Sequence, residues 1–191
     1  MTKRNQKRLL QAFFSLLTLL IVWVMAPTAQ QQLPATLQPG TYRVVSIDDG
    51  DTIIVDMNGT DEKVRFIGVD TPETKDPRKP IQCFGRAATE FTKNLIGNRP
   101  VRLEADPTNT NRDRYNRLLR YVYLPDGTLV NAEIIKQGYG FAYVNFPVQK
   151  MDEFRSLQKE AREQNRGLWA GCEPIPNQYG GFDSNPELTI P

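Results

Sequence analysis

From Thr41 onward the chain is written in short apolar, β-branched runs. YRVVSI, TIIVDM and KVRFIGV are parted by the turn-forming stretches DDGD and NGTDE. Runs of that length bounded by Gly, Asn and Asp predict three successive strands. The spacing then changes. Phe84, Ala87, Ala88, Phe91, Leu95 and Ile96 recur at helical intervals and Gly97 follows, which predicts an amphipathic helix with a glycine stop. RPVRLEA and RLLRYVYL return to strand texture. LVNAEIIKQG predicts a short helix ending at Gly138, and MDEFRSLQKEAREQNRG a longer polar one ending at Gly167. After Cys172, residues 173–191 are rich in Pro, Gly and Asn and read as a loose tail.

Five strands with a helix between the third and fourth fit an α+β fold built on a small closed barrel of the OB type. The strand order alone also allows a split α+β sandwich or an unrelated meander.

The N-terminus has a different pattern. Lys3, Arg4, Lys7 and Arg8 precede the apolar run Ala12–Ala26, the order of a signal peptide. With Leu9 and Leu10 the stretch approaches the length of an uncleaved membrane anchor, about 20 residues. Residues 1–29 are therefore read as a leader, cleaved or retained, residues 30–40 as a polar linker and residues 41–172 as the folded domain. Either leader reading puts the domain outside the cytosol, secreted, periplasmic or held at a membrane by its N-terminus.

The leader also alters the charge balance. The chain holds 24 basic and 22 acidic residues; without the leader's four cations, 20 basic residues face 22 acidic ones. A broad basic footprint for nucleic acid is thus absent, and any polyanion site must be local. The sequence contains no histidine, which excludes a Ser-His-Asp triad and a His-ligated zinc site. Cys83 and Cys172 are too few for a thiolate zinc site; in an exported chain they read as one disulfide, the alternative being two buried thiols. The chemistry left is that of carboxylates, Arg, Lys, Tyr and a hard metal ion.

RFIGVDTPE places Arg65 inside an apolar strand that breaks into Asp70, Thr71, Pro72 and Glu73. Folding the second and third strands with Thr60 and Asp61 at the tip sets Asp51 opposite Asp70, about 4.5–5.5 Å apart at Cβ. Two such carboxylates with a carbonyl near Thr71 form a partial shell for calcium, or for magnesium with more waters. The plainer reading makes DDGD an ordinary turn, DTPE an ordinary strand exit and Arg65 the partner of a nearby acid. In NRDRYNRLLRYVYL, Arg112, Arg114, Arg117 and Arg120 interleave with Tyr115, Tyr121 and Tyr123. That pattern suits phosphates and stacked bases, and for Arg112 and Arg120 a solvated strand face is the expectation.

IDDGDT (47–52), VRFIGVDTPE (64–73), FGRAATEFT (84–92), DRYNRLLRYVY (113–123), LVNAEIIKQGYGFAY (129–143) and NRGLW (165–169), in this order, resemble the staphylococcal (thermo)nuclease family. The resemblance runs from about Tyr42 to Trp169. It implies an OB-fold barrel with three helices, and a calcium-dependent endonuclease that hydrolyses DNA and RNA to 3′-phosphate products. The sequence does not write an oligomeric state, for which a monomer is the default expectation. By position, it assigns Asp51 and Asp70 as calcium carboxylates, Thr71 as a carbonyl ligand and Asp49 as a supporting acid. Glu73 matches the general base on the attacking water, Arg65 and Arg117 the pair that grips the phosphate, and Tyr115, Tyr143 and Lys79 the nucleotide contacts. Two departures stand out. Asn116 replaces a Gly before the arginine, and Asn145 replaces an aromatic residue near the base.

Overall fold

The computed structural model describes residues 40–77, 80–143 and 145–186. The leader and Lys79 lie outside the described residues. Strands β1 (Thr41–Asp49), β2 (Thr52–Met57), β3 (Thr60–Phe66), β5 (Val101–Glu104) and β6 (Leu118–Tyr123) close into a barrel in the order β1-β2-β3-β6-β5. All pairs are antiparallel except β3 with β6. This is the barrel expected from the strand runs, and α1 (Gly85–Ile96) lies between its third and fourth strands as the pattern requires.

The inward residues are those the alternation marks. Ile53, Val55, Val64, Phe66, Leu118 and Val122 are each at most 1% exposed. Burying each such side chain contributes roughly 1.5–3 kcal/mol. Helix α2 (Val130–Lys136) and helix α3 (Met151–Glu163) cover one end, with Ile134, Ile135 and Phe154 in the same core. Helix α3 carries Asp152 and Glu153 in its first turn and Arg162 in its last, the polarity that suits the helix dipole. The described residues contain a fourth helix beyond the three expected, the single turn α4 (Leu168–Gly171).

The β2–β3 register differs from the expected one. Asn58 and Gly59, both at positive φ (57° and 86°), form the two-residue turn, so Met57 pairs with Thr60 and Thr52 with Arg65. Asn-Gly is the pair such a turn selects. Asp51 consequently faces Phe66, whose N–H donates to the Asp51 carbonyl at 2.9 Å, and not Asp70. The chain then reverses at Gly68 (φ 72°), where a Cβ would stand 2.6 Å from the Phe154 ring. Strand β4 (Val69–Asp70) leaves the barrel to pair with β7 (Phe141–Ala142). Buried Asn131 fixes this departure: it accepts from Val122 N–H at 2.9 Å and donates to the Ile67 carbonyl at 2.9 Å.

Arg112 and Arg120 do not lie on a solvated strand face. The Arg120 side chain is wholly buried, donating to the Leu119 carbonyl at 2.7 Å and to Asn111 Oδ1 at 2.7 Å. Arg112 makes a two-pronged pair with Glu62, at 2.9 and 3.1 Å. Both are anchors that fasten the loop before β6 to the barrel. Past Cys172, where composition predicts a loose tail, β8 (Ile175–Pro176) and β9 (Phe182–Asp183) form a short hairpin. The Cys83–Cys172 disulfide is present, spanning 89 residues. Among the described residues no helix is long and apolar enough to cross a membrane.

Candidate active site

The site begins with the turn between β1 and β2. A Cβ on Gly50 would come within 2.8 Å of Thr71 Oγ1 and 3.0 Å of Ala88 Cβ, so only glycine lets this turn pass beneath Thr71. That closeness brings Asp51 to the exit of β4. Asp51 Oδ2 accepts from Thr71 N–H at 2.8 Å and from Thr71 Oγ1 at 3.0 Å. Asp49 is held in place beside it: its Oδ1 accepts from Gly50 N–H, Thr74 Oγ1 and Thr89 Oγ1, at 2.9, 3.0 and 3.0 Å. Burial, then the charge of Asp51, raises the Asp49 pKa against those hydrogen bonds.

Arg65 gathers the acids. Its guanidinium lies 3.1 Å from Asp51 Oδ2 and 2.9 Å from Asp70 Oδ1, and it donates to the Val69 carbonyl at 2.6 Å. Asp51 and Asp70 therefore do converge, through the reversal at Gly68 and a shared arginine, and not across the hairpin. Burial pushes the Asp70 carboxyl up, with Asp51 and Glu73 adding to it and Arg65 opposing. Because 46% of that side chain is open to the cleft, water screens part of this effect.

Glu73 heads the following turn. Its Oε1 accepts from the N–H groups of Thr74, Lys75 and Asp76, at 2.9, 2.7 and 3.1 Å. Burial works against ionisation there, and these bonds outweigh it, so the Glu73 pKa sits below the ordinary carboxylate value.

The loop before β6, the strand paired with β3, also lines the cleft. Asn116 takes the left-handed conformation (φ 63°) that the glycine-to-asparagine departure requires. Asp113 Oδ1 accepts from the N–H groups of both Tyr115 and Arg117 at 2.9 Å, and its Oδ2 accepts from Arg117 Nε at 2.7 Å. Tyr115 is 62% exposed, with the Arg117 guanidinium carbon 5.4 Å from its ring centre. Tyr143 donates its N–H to the Gly68 carbonyl, lies near Arg65, and packs 6.0 Å from Phe146.

Asp49, Asp51, Arg65, Asp70, Thr71, Glu73, Tyr115 and Arg117 all line one cleft of about 920 Å³. Of the expected site residues, Tyr143 is beside Arg65 but outside that lining. The reading of the sequence missed Asp113, which shapes the arginine loop; the signal was an Asp two and four residues before the groups it caps, an Asx-turn spacing. It also missed Asp48, which Lys63 and Lys75 grip at 2.7 and 2.8 Å on the cleft's rim.

Among the described residues no three His, Cys, Asp or Glu side chains are grouped to hold a metal. A cation held by the Asp51 and Asp70 carboxylates and the Thr71 carbonyl would meet oxygen donors only, a set that suits calcium or magnesium and not zinc.

Comparison with known proteins agrees with this geometry. The family model described as Staphylococcal nuclease homologue matches residues 63–171. The chain is 44% identical over 133 residues to a thermonuclease of Staphylococcus intermedius, covering 68% of this chain and 76% of that protein. It is 41% identical over 131 residues to a thermonuclease of Staphylococcus hyicus, with the same coverage. Endonuclease YncB of Bacillus subtilis (strain 168) is 39% identical over 137 residues, 71% of this chain and 63% of that protein. The matched span contains Arg65, Asp70, Glu73, Asp113 and Arg117, and by this measure the chain belongs to the staphylococcal nuclease homologue family.

Proposed function

We propose that this chain is an exported, calcium-dependent endonuclease that hydrolyses phosphodiester bonds of DNA and RNA and leaves 3′-phosphate ends. The observation that carries the reading is the shared cleft: Arg65 and Arg117 line the same polar space as Asp51, Asp70, Thr71 and Glu73. Guanidinium groups hold a phosphodiester in a two-pronged grip, which lysines would not orient as well. Its relatives named thermonuclease and endonuclease support the same reaction class.

Asp51, Asp70 and the Thr71 carbonyl would hold the cation, with Asp49 supporting the turn beneath them. When bound, the cation offsets negative charge on the phosphoryl oxygens. Once a cation neutralised the two carboxylates, the Arg65 guanidinium would be released to the phosphate, with Arg117 gripping it from the loop before β6. Their positive charge stabilises the charge that grows as water attacks phosphorus and the bond to the 5′-oxygen breaks. Glu73, kept ionised by three backbone N–H groups, orients that water and takes its proton, worth about 10²–10⁴-fold. Tyr115, Tyr143 and Lys79 contact the nucleotide. The protein acts as a monomer, and the leader, if uncleaved, would be its link to a membrane.

One observation favours a second reading, a nucleic-acid or protein-binding module without catalysis: Glu73 Oε1 is already engaged by its own turn. Incubating leaderless protein with single-stranded DNA, in calcium and then in chelator, separates the two. Calcium-dependent cleavage to 3′-phosphate ends supports the nuclease; binding without cleavage supports the module.

A further inference from the structure

Glu73 and Gln82 close the two ends of a loop. The Gln82 N–H donates to the Glu73 carbonyl at 3.0 Å, and the Glu73 N–H donates to the Gln82 side-chain Oε1 at 2.7 Å. A side chain thus supplies the acceptor that a paired strand would supply from its backbone. The other half of the same amide points to the C-terminal segment, where Nε2 donates to the Ser184 carbonyl at 3.3 Å.

That segment is firmly tied. Ser184 Oγ donates to the Cys83 carbonyl at 2.9 Å, and Cys83 N–H donates to the Asn185 carbonyl at 2.7 Å. Asn185 Nδ2 reaches the carbonyls of Cys172 and Glu173, at 3.1 and 3.0 Å, across the Cys83–Cys172 disulfide. Phe182 packs edge-on against Trp169, 5.0 Å between ring centres, and over Phe141, whose backbone pairs with Asp70. Residues 184–186 therefore form a strap alongside Gln82, with Pro186 bridged to it.

We propose that Gln82 is a positioning residue for Glu73, fixing the backbone that carries the carboxylate and itself fixed by the strap. The inference rests on the nuclease reading above. Glutamine suits this place because one end of the group must accept and the other donate, which an amide does and a carboxylate or thioether does not.

The test is cleavage of single-stranded DNA in saturating calcium by the wild type, Gln82→Met, Gln82→Glu, Glu73→Gln and the Glu73→Gln/Gln82→Met pair, each checked by thermal melting. Gln82→Met lowers kcat about 10- to 100-fold with KM nearly unchanged, the cost of a displaced catalytic group. Gln82→Glu, which keeps the acceptor for Glu73 N–H and loses the donor to Ser184, lowers kcat less, about three- to tenfold, and the double variant is no slower than Glu73→Gln alone. Wild-type kcat in Gln82→Met, a change in KM only, or losses that multiply in the double variant would overturn the inference. Should Gln82→Met not fold, a chain ending at Asp183 removes the partner of Nε2 and keeps the disulfide. Its kcat then falls about three- to tenfold in the wild-type background and not with Glu73→Gln; wild-type kcat overturns the inference. A wild type that does not cleave overturns the nuclease reading and this inference together. A Glu73→Gln that cleaves as well as a cleaving wild type removes the role of Glu73 and overturns this inference alone.

Discussion

Asp113 holds Arg117 twice, accepting its backbone N–H at 2.9 Å and its Nε at 2.7 Å. One carboxylate thus sets both the bend of the loop and the direction of the guanidinium. Asp113→Ala therefore lowers kcat/KM for DNA about 10- to 100-fold, although Asp113 touches no substrate. Asp113→Asn keeps the acceptor for the two N–H groups and loses less. Steady-state kinetics of the two variants check the order.

Arg65 neutralises Asp51 and Asp70 when no cation does, and its side chain is only 14% exposed. Removing it leaves two like charges facing each other. Arg65→Ala costs about 3 kcal/mol of stability in chelator, from the loss of the buried Asp51 partner. Calcium then stabilises the variant more than the wild type, because the repulsion it relieves is larger. Denaturant unfolding with and without calcium measures both effects.

Local patterns of residues carried the architecture. The β-branched runs marked every barrel strand, and Gly97 and Gly138 marked where two helices end. What failed were choices resting on long-range geometry. The tip of the hairpin was placed at Thr60–Asp61 when Asn58-Gly59 carries the positive φ values, and that displaced the whole register. Arg120 looked solvated because nothing local reveals that Asn111 folds over it. The site's acids were legible by resemblance, whereas their route together, through Gly68 and Arg65, was not. Gln82 was missed because it acts on a backbone N–H nine residues away, and Asp113 because the arginine and tyrosine it positions drew the reading of its own motif.

Asp106 shows the same dependence on distant partners. Its carboxylate accepts from Tyr121 OH at 2.5 Å, Thr108 Oγ1 at 2.6 Å and Gln149 N–H at 2.8 Å. Burial disfavours the charge, and these bonds outweigh it and hold the pKa below the ordinary value. A carboxyl lowered on folding contributes stability above its unfolded pKa, about 3.9, that is lost as pH falls through the folded value. Tyr121 is raised, by burial and then by Asp106, so its contribution is present below about pH 10 and lost as pH rises further. Asp106→Asn flattens the acid limb of a stability–pH curve and Tyr121→Phe the alkaline limb; denaturation from about pH 2.5 to about pH 11 reads both.

The Cys83–Cys172 bond closes a loop of 89 residues. The chain-entropy estimate for such a loop is about 4–5 kcal/mol, so Cys83→Ser/Cys172→Ser unfolds at markedly lower denaturant. Thiol titration of unreduced, unfolded wild-type protein finds no free thiol.

The central claim is that one cleft joins two arginines, the paired aspartates and Glu73 in phosphodiester hydrolysis. The most direct measurement is the single-turnover rate on single-stranded DNA in calcium for wild type, Arg117→Ala and Glu73→Gln, all shown to be folded. The account predicts losses of at least about 100-fold in each variant. Rates close to wild type in folded Arg117→Ala and Glu73→Gln would contradict it and move the chemistry to another part of the molecule.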